Sequence, residues 1–315
     1  MPKDAERCEW IGLSKALREF AAATYGTASQ RHIKPLHWYM ACRLCLEGGF
    51  DPDEITPRPP FRVTMLSLRK GRRRSIEYVP ELGGTGEQTI LGGLRTKQVD
   101  VVVTKPGIGP VIAVSMKGTL NAFRNLTNRL EEAGGDCTNL HITYPALVYG
   151  YWAVIRANRP GPVPPNAPAP LRSDDGTIRP SDIAVREDGK PHPCIVRYHQ
   201  ALSGLSARSG IRNDVSKYEA VALTLVDVDE GKSGEVLTDY PPVGSRLRFE
   251  QFLHTICTQY DLRFVYQAPD LASRTYRSGW DETSPALQNW QIEEYRPRHV
   301  ETGDEICGMS DDLAP

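Results

Sequence analysis

A short stretch of the chain, residues 99–132, carries two acidic side chains and a lysine whose spacing suits metal-assisted chemistry on phosphates. Asp100 opens an apolar run, a turn rich in Pro and Gly follows, and a second apolar run ends at Lys117. A predicted helix then presents Glu131. Carboxylate oxygens bind hard cations such as Mg²⁺, and a nearby lysine stabilises charge on a phosphate or helps to activate a water. The pattern therefore predicts Mg²⁺-assisted hydrolysis of phosphodiester bonds.

The predicted helix, residues 119–133, has a polar face whose side chains stack at intervals of three and four residues. An arginine and two asparagines on that face have the donors and acceptors that read base edges in DNA. The alternative is a solvated face on which these side chains contact one another. The face consists of Asn121, Arg124, Asn128 and Glu131.

Basic residues cluster locally although the net charge of the chain is only −1. Local basic patches bind phosphates even on a nearly neutral protein. The segment LRKGRRRS lies between two strand-like runs, where Arg72 and Arg73 are predicted to contact the DNA backbone; the alternative is a solvated hairpin tip. Arg129 is a further candidate for DNA contact. Weaker phosphate-contact candidates near the N-terminal helices are His32, Lys34 and His37, for which an ordinary core or surface role is the alternative.

Composition narrows the class of protein. Hydrophobic residues make up 40% and charged residues 24% of the 315 positions, as in soluble globular proteins. No apolar run approaches the ~18 residues of a membrane span, and no secretory signal is visible at the N-terminus. Seven scattered cysteines fit a reduced, cytoplasmic protein. The spacing of the histidines does not suit Zn²⁺, and the glycines match neither a P-loop nor a dinucleotide fingerprint.

Hydrophobic periodicity divides the chain into three parts. Residues 1–60 are predicted to be helical and either to contact DNA or to form a dimer interface. Strand-like runs alternate with helices over residues 61–265, the predicted catalytic region, with a Pro-rich loop at 159–175. Residues 266–315 form a polar extension. These patterns predict an α/β fold with a central mixed sheet flanked by helices and an N-terminal helical region.

The stretch 99–132 resembles the catalytic motif of the PD-(D/E)XK nucleases, best known among type II restriction endonucleases. That motif is an Asp, a spacer, then Asp or Glu, any residue, and Lys. Asp100 and Lys117 match it, whereas Ser115 occupies the place of the second acid. The run is similar to a variant found in enzymes that cut CCGG-containing sites, where the motif reads S-x-K and the following helix supplies the acid about fourteen residues after the Lys. Glu131 stands fourteen positions after Lys117.

The resemblance implies a restriction-endonuclease-like fold, with Mg²⁺ held by Asp100 and Glu131. It implies that Arg124 reads guanine and that Ser115 is a bystander or a supporting hydrogen-bonding group. If the Glu131 carboxylate proves dispensable, Glu132 is the next candidate. A further upstream acid is expected at the metal: the candidates are Glu77, Glu81 and Glu87, of which Glu77 is favoured because it lies in a strand-like run.

The implied function is cleavage of double-stranded DNA at a short, palindromic, CC- or GG-containing site by a homodimer, with a cognate DNA methyltransferase in the same system. Three alternatives stay open. They are a repair or phage-defence nuclease of the same fold, a catalytically disabled DNA-binding protein, and a structural α/β protein in which the motif is coincidental. Ser115 in the place of an acid favours the disabled protein, and the intact Lys117 argues against it.

Overall fold

The computed structural model describes residues 6–23, 31–68, 71–121, 123–163, 175–212 and 214–300. The protein is a mixed α/β structure in which a central five-stranded sheet is flanked by helices, as the sequence predicts. The helices are α1 (Leu13–Ala21), α2 (Lys34–Leu46), α3 (Leu126–Thr143), α4 (Pro193–Gly204), α5 (Phe252–Asp261) and α6 (Ala272–Thr275). The strands are β1 (Ile55–Thr56), β2 (Phe61–Leu68), β3 (Gly71–Tyr78), β4 (Gln88–Leu91), β5 (Thr96–Val99), β6 (Val101–Lys105), β7 (Gly109–Thr119), β8 (Val148–Arg156) and β9 (Ala220–Val226).

The central sheet has the strand order β1-β6-β7-β8-β9. Strand β6 runs antiparallel to both β1 and β7, whereas β7, β8 and β9 are parallel to one another. Every residue of β8 and β9 is buried, which explains their unbroken apolar sequences, because helices cover both faces of the sheet. Two further hairpins, β2–β3 and β4–β5, lie outside this sheet.

The two faces of the central sheet pack against different helices. Helices α1, α2 and α5 cover one face, and α3 and α4 cover the other. Successive side chains of a strand point to opposite faces, so Val114 and Met116 join the first core and Ala113 joins the second. Lys117 lies four residues after Ala113 on β7, so its side chain points to the same face of the sheet as that of Ala113. Among the described residues, no helix is long and apolar enough to pass through a lipid bilayer.

The C-terminal segment of the described chain packs against the N-terminal region. The indole of Trp280 is fully buried and donates to the carbonyl of Leu46 at 3.0 Å. The hydroxyl of Tyr295 donates to the carbonyl of Ile11 at 2.7 Å. The polar extension therefore shares one core with the N-terminal helices up to residue 300, while 301–315 and most of the Pro-rich loop lie outside the described residues.

Helix α3 begins later and runs longer than the predicted helix at 119–133. Strand β7 extends to Thr119, where it still pairs with β8, and a short 3-10 helix covers Phe123–Asn125 before α3 begins. The glycines at 134 and 135 do not end the helix, because buried side chains beyond them, Cys137 and Leu140, continue the apolar face.

A buried carboxylate ties three elements to the central sheet. Glu219, just before β9, is fully buried and accepts hydrogen bonds from the backbone N–H of Tyr149 and from the guanidinium of Arg208. The guanidinium of Arg263 lies 2.7 Å from the same carboxylate and His141 of α3 lies 3.6 Å away. Burial alone would raise the pKa of Glu219, but the His141 and Arg263 side chains lower it to about 2.

Replacement of Glu219 by Ala is expected to destabilise the protein by about 3–5 kcal/mol, because two buried guanidinium groups lose their partner. Glu250→Ala, which breaks the exposed Arg248–Glu250 pair, is the matched control and should cost at most about 1 kcal/mol. Denaturant unfolding measures both. Equal, small losses would show that the buried network contributes little.

The stabilisation from Glu219 should also depend on pH. It is fully present above the ordinary pKa of 4.5 and is lost as the pH falls through about 2, since the folded state lowers the pKa of this carboxyl group. The difference in the free energy of unfolding between the wild-type protein and Glu219→Gln should therefore become smaller as the pH falls over that range. A constant difference between pH 5 and pH 2 would contradict the assignment.

Candidate metal centre

Asp100 lies in the bend between β5 and β6 and is only 5% exposed. Its Oδ2 accepts a 2.6 Å hydrogen bond from the backbone N–H of Met116 in β7. Val101 pairs with Val114, so the antiparallel register carries Asp100 toward the end of β7 at which Lys117 lies. The hairpin thus brings the two predicted motif residues to the same edge of the sheet.

A histidine of α2 meets Asp100 from the other side. His37 is 3% exposed, and its Nε2 lies 3.9 Å from Oδ1 of Asp100. Among the described residues this nitrogen has no hydrogen-bond partner. Burial lowers the pKa of His37, partly offset by the charge of Asp100, so the ring is neutral at neutral pH. A neutral imidazole nitrogen without a partner is available as a ligand.

Glu87 is the third member of this cluster. It lies just before β4, and its Oε1 is 3.9 Å from Nδ1 of His37. Burial and the charge of Asp100 raise the pKa of Glu87, and the charges of Lys117 and Lys34 oppose this shift. One ligand atom from each of His37, Glu87 and Asp100 lies within 4.8 Å of the other two.

The spacing within the cluster indicates room for a cation. A histidine that served only to bridge two carboxylates would donate hydrogen bonds at about 2.7–3.2 Å, whereas both distances here are 3.9 Å. Only one ring nitrogen of His37 can bind a given cation. The 3.9 Å between its Nε2 and Oδ1 of Asp100 is within the distance of about 4.2 Å that two ligands of one Mg²⁺, each at about 2.1 Å, can span. The two carboxylates suit Mg²⁺, and the imidazole extends the fit to Mn²⁺. The orphaned Nε2 of His37 therefore fits a divalent-cation site.

Lys117 places a positively charged ammonium group next to this cluster. It is half-buried, and within the described part of the chain its ammonium group makes neither a hydrogen bond nor an ion pair. Its charge acts on His37, Glu87 and Glu132. The next residue must be small: a Cβ at Gly118 would lie 2.8 Å from Phe20 and 2.9 Å from His32. Glycine thus lets the N-terminal segment close over β7 beside Lys117.

The acid of α3 that faces Lys117 is Glu132, not Glu131. Glu131 is exposed to solvent. Glu132 is half-buried and accepts a 3.1 Å hydrogen bond from Arg129; burial would raise its pKa, but Lys117 and Arg129 hold the pKa below its usual value. The expectation that Glu131 approaches the metal is therefore corrected: adjacent helix positions point about 100° apart, and it is Glu132 whose carboxyl group Lys117 affects. Neither acid belongs to the cluster of three ligands.

The upstream acid also differs from the one favoured by the sequence. Glu77 lies on the exposed β2–β3 hairpin, 3.4 Å from the guanidinium of Arg62, and Glu81 is exposed. Glu87 takes the place expected of Glu77, because the β4–β5 hairpin, not β2–β3, leads directly into Asp100. Ser115 is buried and its hydroxyl lies 2.7 Å from that of Tyr149, which fits the expected supporting role.

The described residues among the predicted DNA contacts lie on different elements of the fold. Asn128 is exposed on α3, Asn121 is half-buried in the bend after β7, and Arg129 pairs with Glu132. Arg73 lies 3.3 Å from the carboxylate of Asp281 in the C-terminal segment. The side chains of Arg72 and Arg124 are outside the described residues.

Sequence reasoning placed His37 only among weak phosphate contacts, since a single histidine in an apolar helix is usually a core residue. The hydrophobic pattern of the sequence does not indicate that the His37 side chain lies near Asp100. Comparison of the chain with protein-family models, with curated proteins and with solved structures finds no match. The function is therefore inferred from the geometry of the site.

The cluster predicts one divalent-cation site per chain. Isothermal titration with MnCl₂ should show a single site, and Asp100→Asn or Glu87→Gln should weaken it by about tenfold or more, because each removes a charged oxygen ligand. Glu77→Gln, which alters a carboxylate on the exposed hairpin, is the matched control and should bind Mn²⁺ like the wild-type protein. Loss of binding in Glu77→Gln with binding retained in Glu87→Gln would overturn the assignment.

Proposed function

We propose that this protein is a Mg²⁺-dependent endonuclease that hydrolyses phosphodiester bonds in double-stranded DNA. The observation that carries the proposal is the ammonium group of Lys117, which pairs with none of the described residues and lies beside two carboxylates and an imidazole whose Nε2 also has no hydrogen-bond partner among them. A structural ion-pair network would neutralise its lysine. Here the lysine forms no ion pair within the described part of the chain, and acids that could bind a metal lie close by. This arrangement suits an anionic substrate held by the metal ion and the lysine together.

Each side chain has a distinct role in the proposed reaction. Asp100, Glu87 and His37 would hold the cation, and when bound it would stabilise charge on the phosphate and lower the pKa of an attacking water. The ammonium group of Lys117 would donate to a non-bridging phosphate oxygen, at which negative charge grows in the transition state. Glu132 is ionised at neutral pH and is a positioning residue, since it binds Arg129 and acts on Lys117 through its charge.

The missing acid at Ser115 does not by itself disable this site. Glu87 brings a second carboxylate to Asp100 from a different hairpin, so the number of oxygen ligands does not depend on position 115. Mg²⁺ commonly uses one or two carboxylates and fills its remaining positions with water and substrate oxygens. This supports an active nuclease over a DNA-binding protein that has lost catalysis.

The finer form of the proposal is a type II restriction endonuclease with a restriction-endonuclease-like fold. A mixed sheet in which Asp100 directly precedes β6, Lys117 lies on the adjacent antiparallel strand β7, and α3 follows supports it. In this form the enzyme acts as a homodimer on a palindromic site, and a cognate methyltransferase protects the host DNA. A repair or phage-defence nuclease would use the same site with a different choice of DNA.

Digestion of plasmid DNA tests the proposal. The wild-type protein should produce fragments with Mg²⁺ and none with EDTA, and Lys117→Met should cut about 10²–10³-fold more slowly because charge stabilisation is lost. Discrete fragments would support the restriction form, and a smear would support a repair or defence nuclease. Wild-type cleavage by Lys117→Met would contradict the proposed role of the lysine. DNA binding without cleavage by the wild-type protein would contradict the nuclease.

The acids of α3 provide a matched pair for the same digestion. Glu132→Gln should slow cleavage, because Lys117 and Arg129 lose the carboxylate that acts on them. Glu131→Gln changes an exposed carboxylate one position away and should cut at the wild-type rate. The reverse result would restore the assignment made from sequence spacing.

A further inference from the structure

Two cavities meet beside the candidate metal centre. One, of about 160 Å³, is lined by His37 and Glu87 of the metal cluster. The other, of about 340 Å³, is lined by His32 and the end of α1. Three residues form part of the wall of both: Glu6, Lys34 and Trp38. A ligand in the smaller cavity would therefore lie against both these side chains and the metal cluster.

Trp38 differs from the other tryptophans of the chain. Trp10, Trp152 and Trp280 are buried, and Trp290 is 77% exposed. Trp38 is half-buried against the core, and among the described residues its ring stacks on no other aromatic ring and its nitrogen has no hydrogen-bond partner. Its neighbour in sequence, His37, points to the metal cluster. The indole is therefore an unused aromatic surface next to the proposed reaction centre.

Lys34, one helical turn before Trp38, adds a positive charge to the shared wall. Its ammonium group lies 3.4 Å from the carboxylate of Glu6, and both side chains are more than one-third exposed. An exposed pair of this kind is weak, so a phosphate can take the place of Glu6 as the partner of Lys34. An aromatic ring and a lysine on one helix face match a nucleotide, with its base on the ring and its phosphate on the amine.

We propose that Trp38 is a stacking platform for one nucleobase of the DNA strand, turned out of the duplex beside the bond that is cut. This inference rests on the proposed function, because it assigns the occupant of the cavity next to the metal cluster. The volume of the small cavity, about 160 Å³, suits one base and not a base pair. Extrusion of a base into a pocket gives access to groups that the duplex covers.

Binding of two oligomers with the same number of phosphates tests the inference. One is ten thymidine nucleotides, and the other is a ten-unit chain of abasic sites, which has the backbone but no bases. Fluorescence anisotropy in EDTA measures both affinities with the full-length chain. Trp38→Ala should weaken binding of the thymidine oligomer about tenfold and leave binding of the abasic chain unchanged, whereas Trp38→Phe should retain most of the affinity.

Two further variants act as controls. Lys34→Ala removes a phosphate contact and should weaken both oligomers equally. Trp290→Ala removes an exposed indole from another surface and should change neither affinity. Circular dichroism confirms that each variant is folded. If Trp38→Ala weakens both oligomers equally, weakens neither, or the wild-type protein binds neither, the inference is wrong.

The test separates this inference from the nuclease proposal. A protein that cuts DNA with Mg²⁺ but shows no base-dependent effect at Trp38 contradicts the stacking platform alone. A protein that binds the thymidine oligomer through Trp38 and never cuts DNA contradicts the nuclease alone.

Discussion

The structure depends on how one nearly buried carboxylate, that of Asp100, is held. A buried charge is costly unless polar groups satisfy it. One oxygen of Asp100 accepts a hydrogen bond from the Met116 backbone, which fixes the start of β6 against β7. The other faces His37 across a gap wider than a hydrogen bond. Half of the carboxylate thus stabilises the fold, and half remains available for a ligand.

The cost of burying a charge also explains why the carboxylate that stabilises the fold and the carboxylates of the candidate site lie at different edges of the sheet. At the amino-terminal edge of the parallel strands, Glu219 is fully paired with arginines and its pKa falls to about 2. At the opposite edge, burial and Asp100 raise the pKa of Glu87, so its ionised form opposes folding at neutral pH. A bound cation would relieve that cost. An under-neutralised cluster of this kind is typical of a functional site.

Much of the fold could be predicted from the sequence. Hydrophobic periodicity predicted helices in the N-terminal region, where α1 and α2 lie, and the apolar runs on either side of the Pro- and Gly-rich turn correspond to β6 and β7. The spacing between Asp100 and Lys117 predicted that one hairpin would bring them to the same edge. These features depend on local periodicity, which a sequence shows directly.

The remaining parts of the site depend on long-range packing. The choice of Glu87 over Glu77 follows from which hairpin leads into Asp100, although both acids lie in plausible segments. The choice of Glu132 over Glu131 follows from which face of α3 lies toward Lys117, an orientation that depends on packing and not on the spacing along the chain. His37 approaches Asp100 only because α2 packs across β6, and no spacing along the chain encodes that contact.

Anomalous diffraction from a crystal grown with MnCl₂ tests most directly the claim that these side chains form one cation site beside Lys117. We expect a single strong Mn²⁺ peak between Asp100 and Glu87, at about 2.0–2.3 Å from their oxygens and close enough to Nε2 of His37 for coordination. An empty cluster in crystals that hold Mn²⁺ elsewhere, or a direct hydrogen bond that closes the gap between His37 and Asp100, would contradict it.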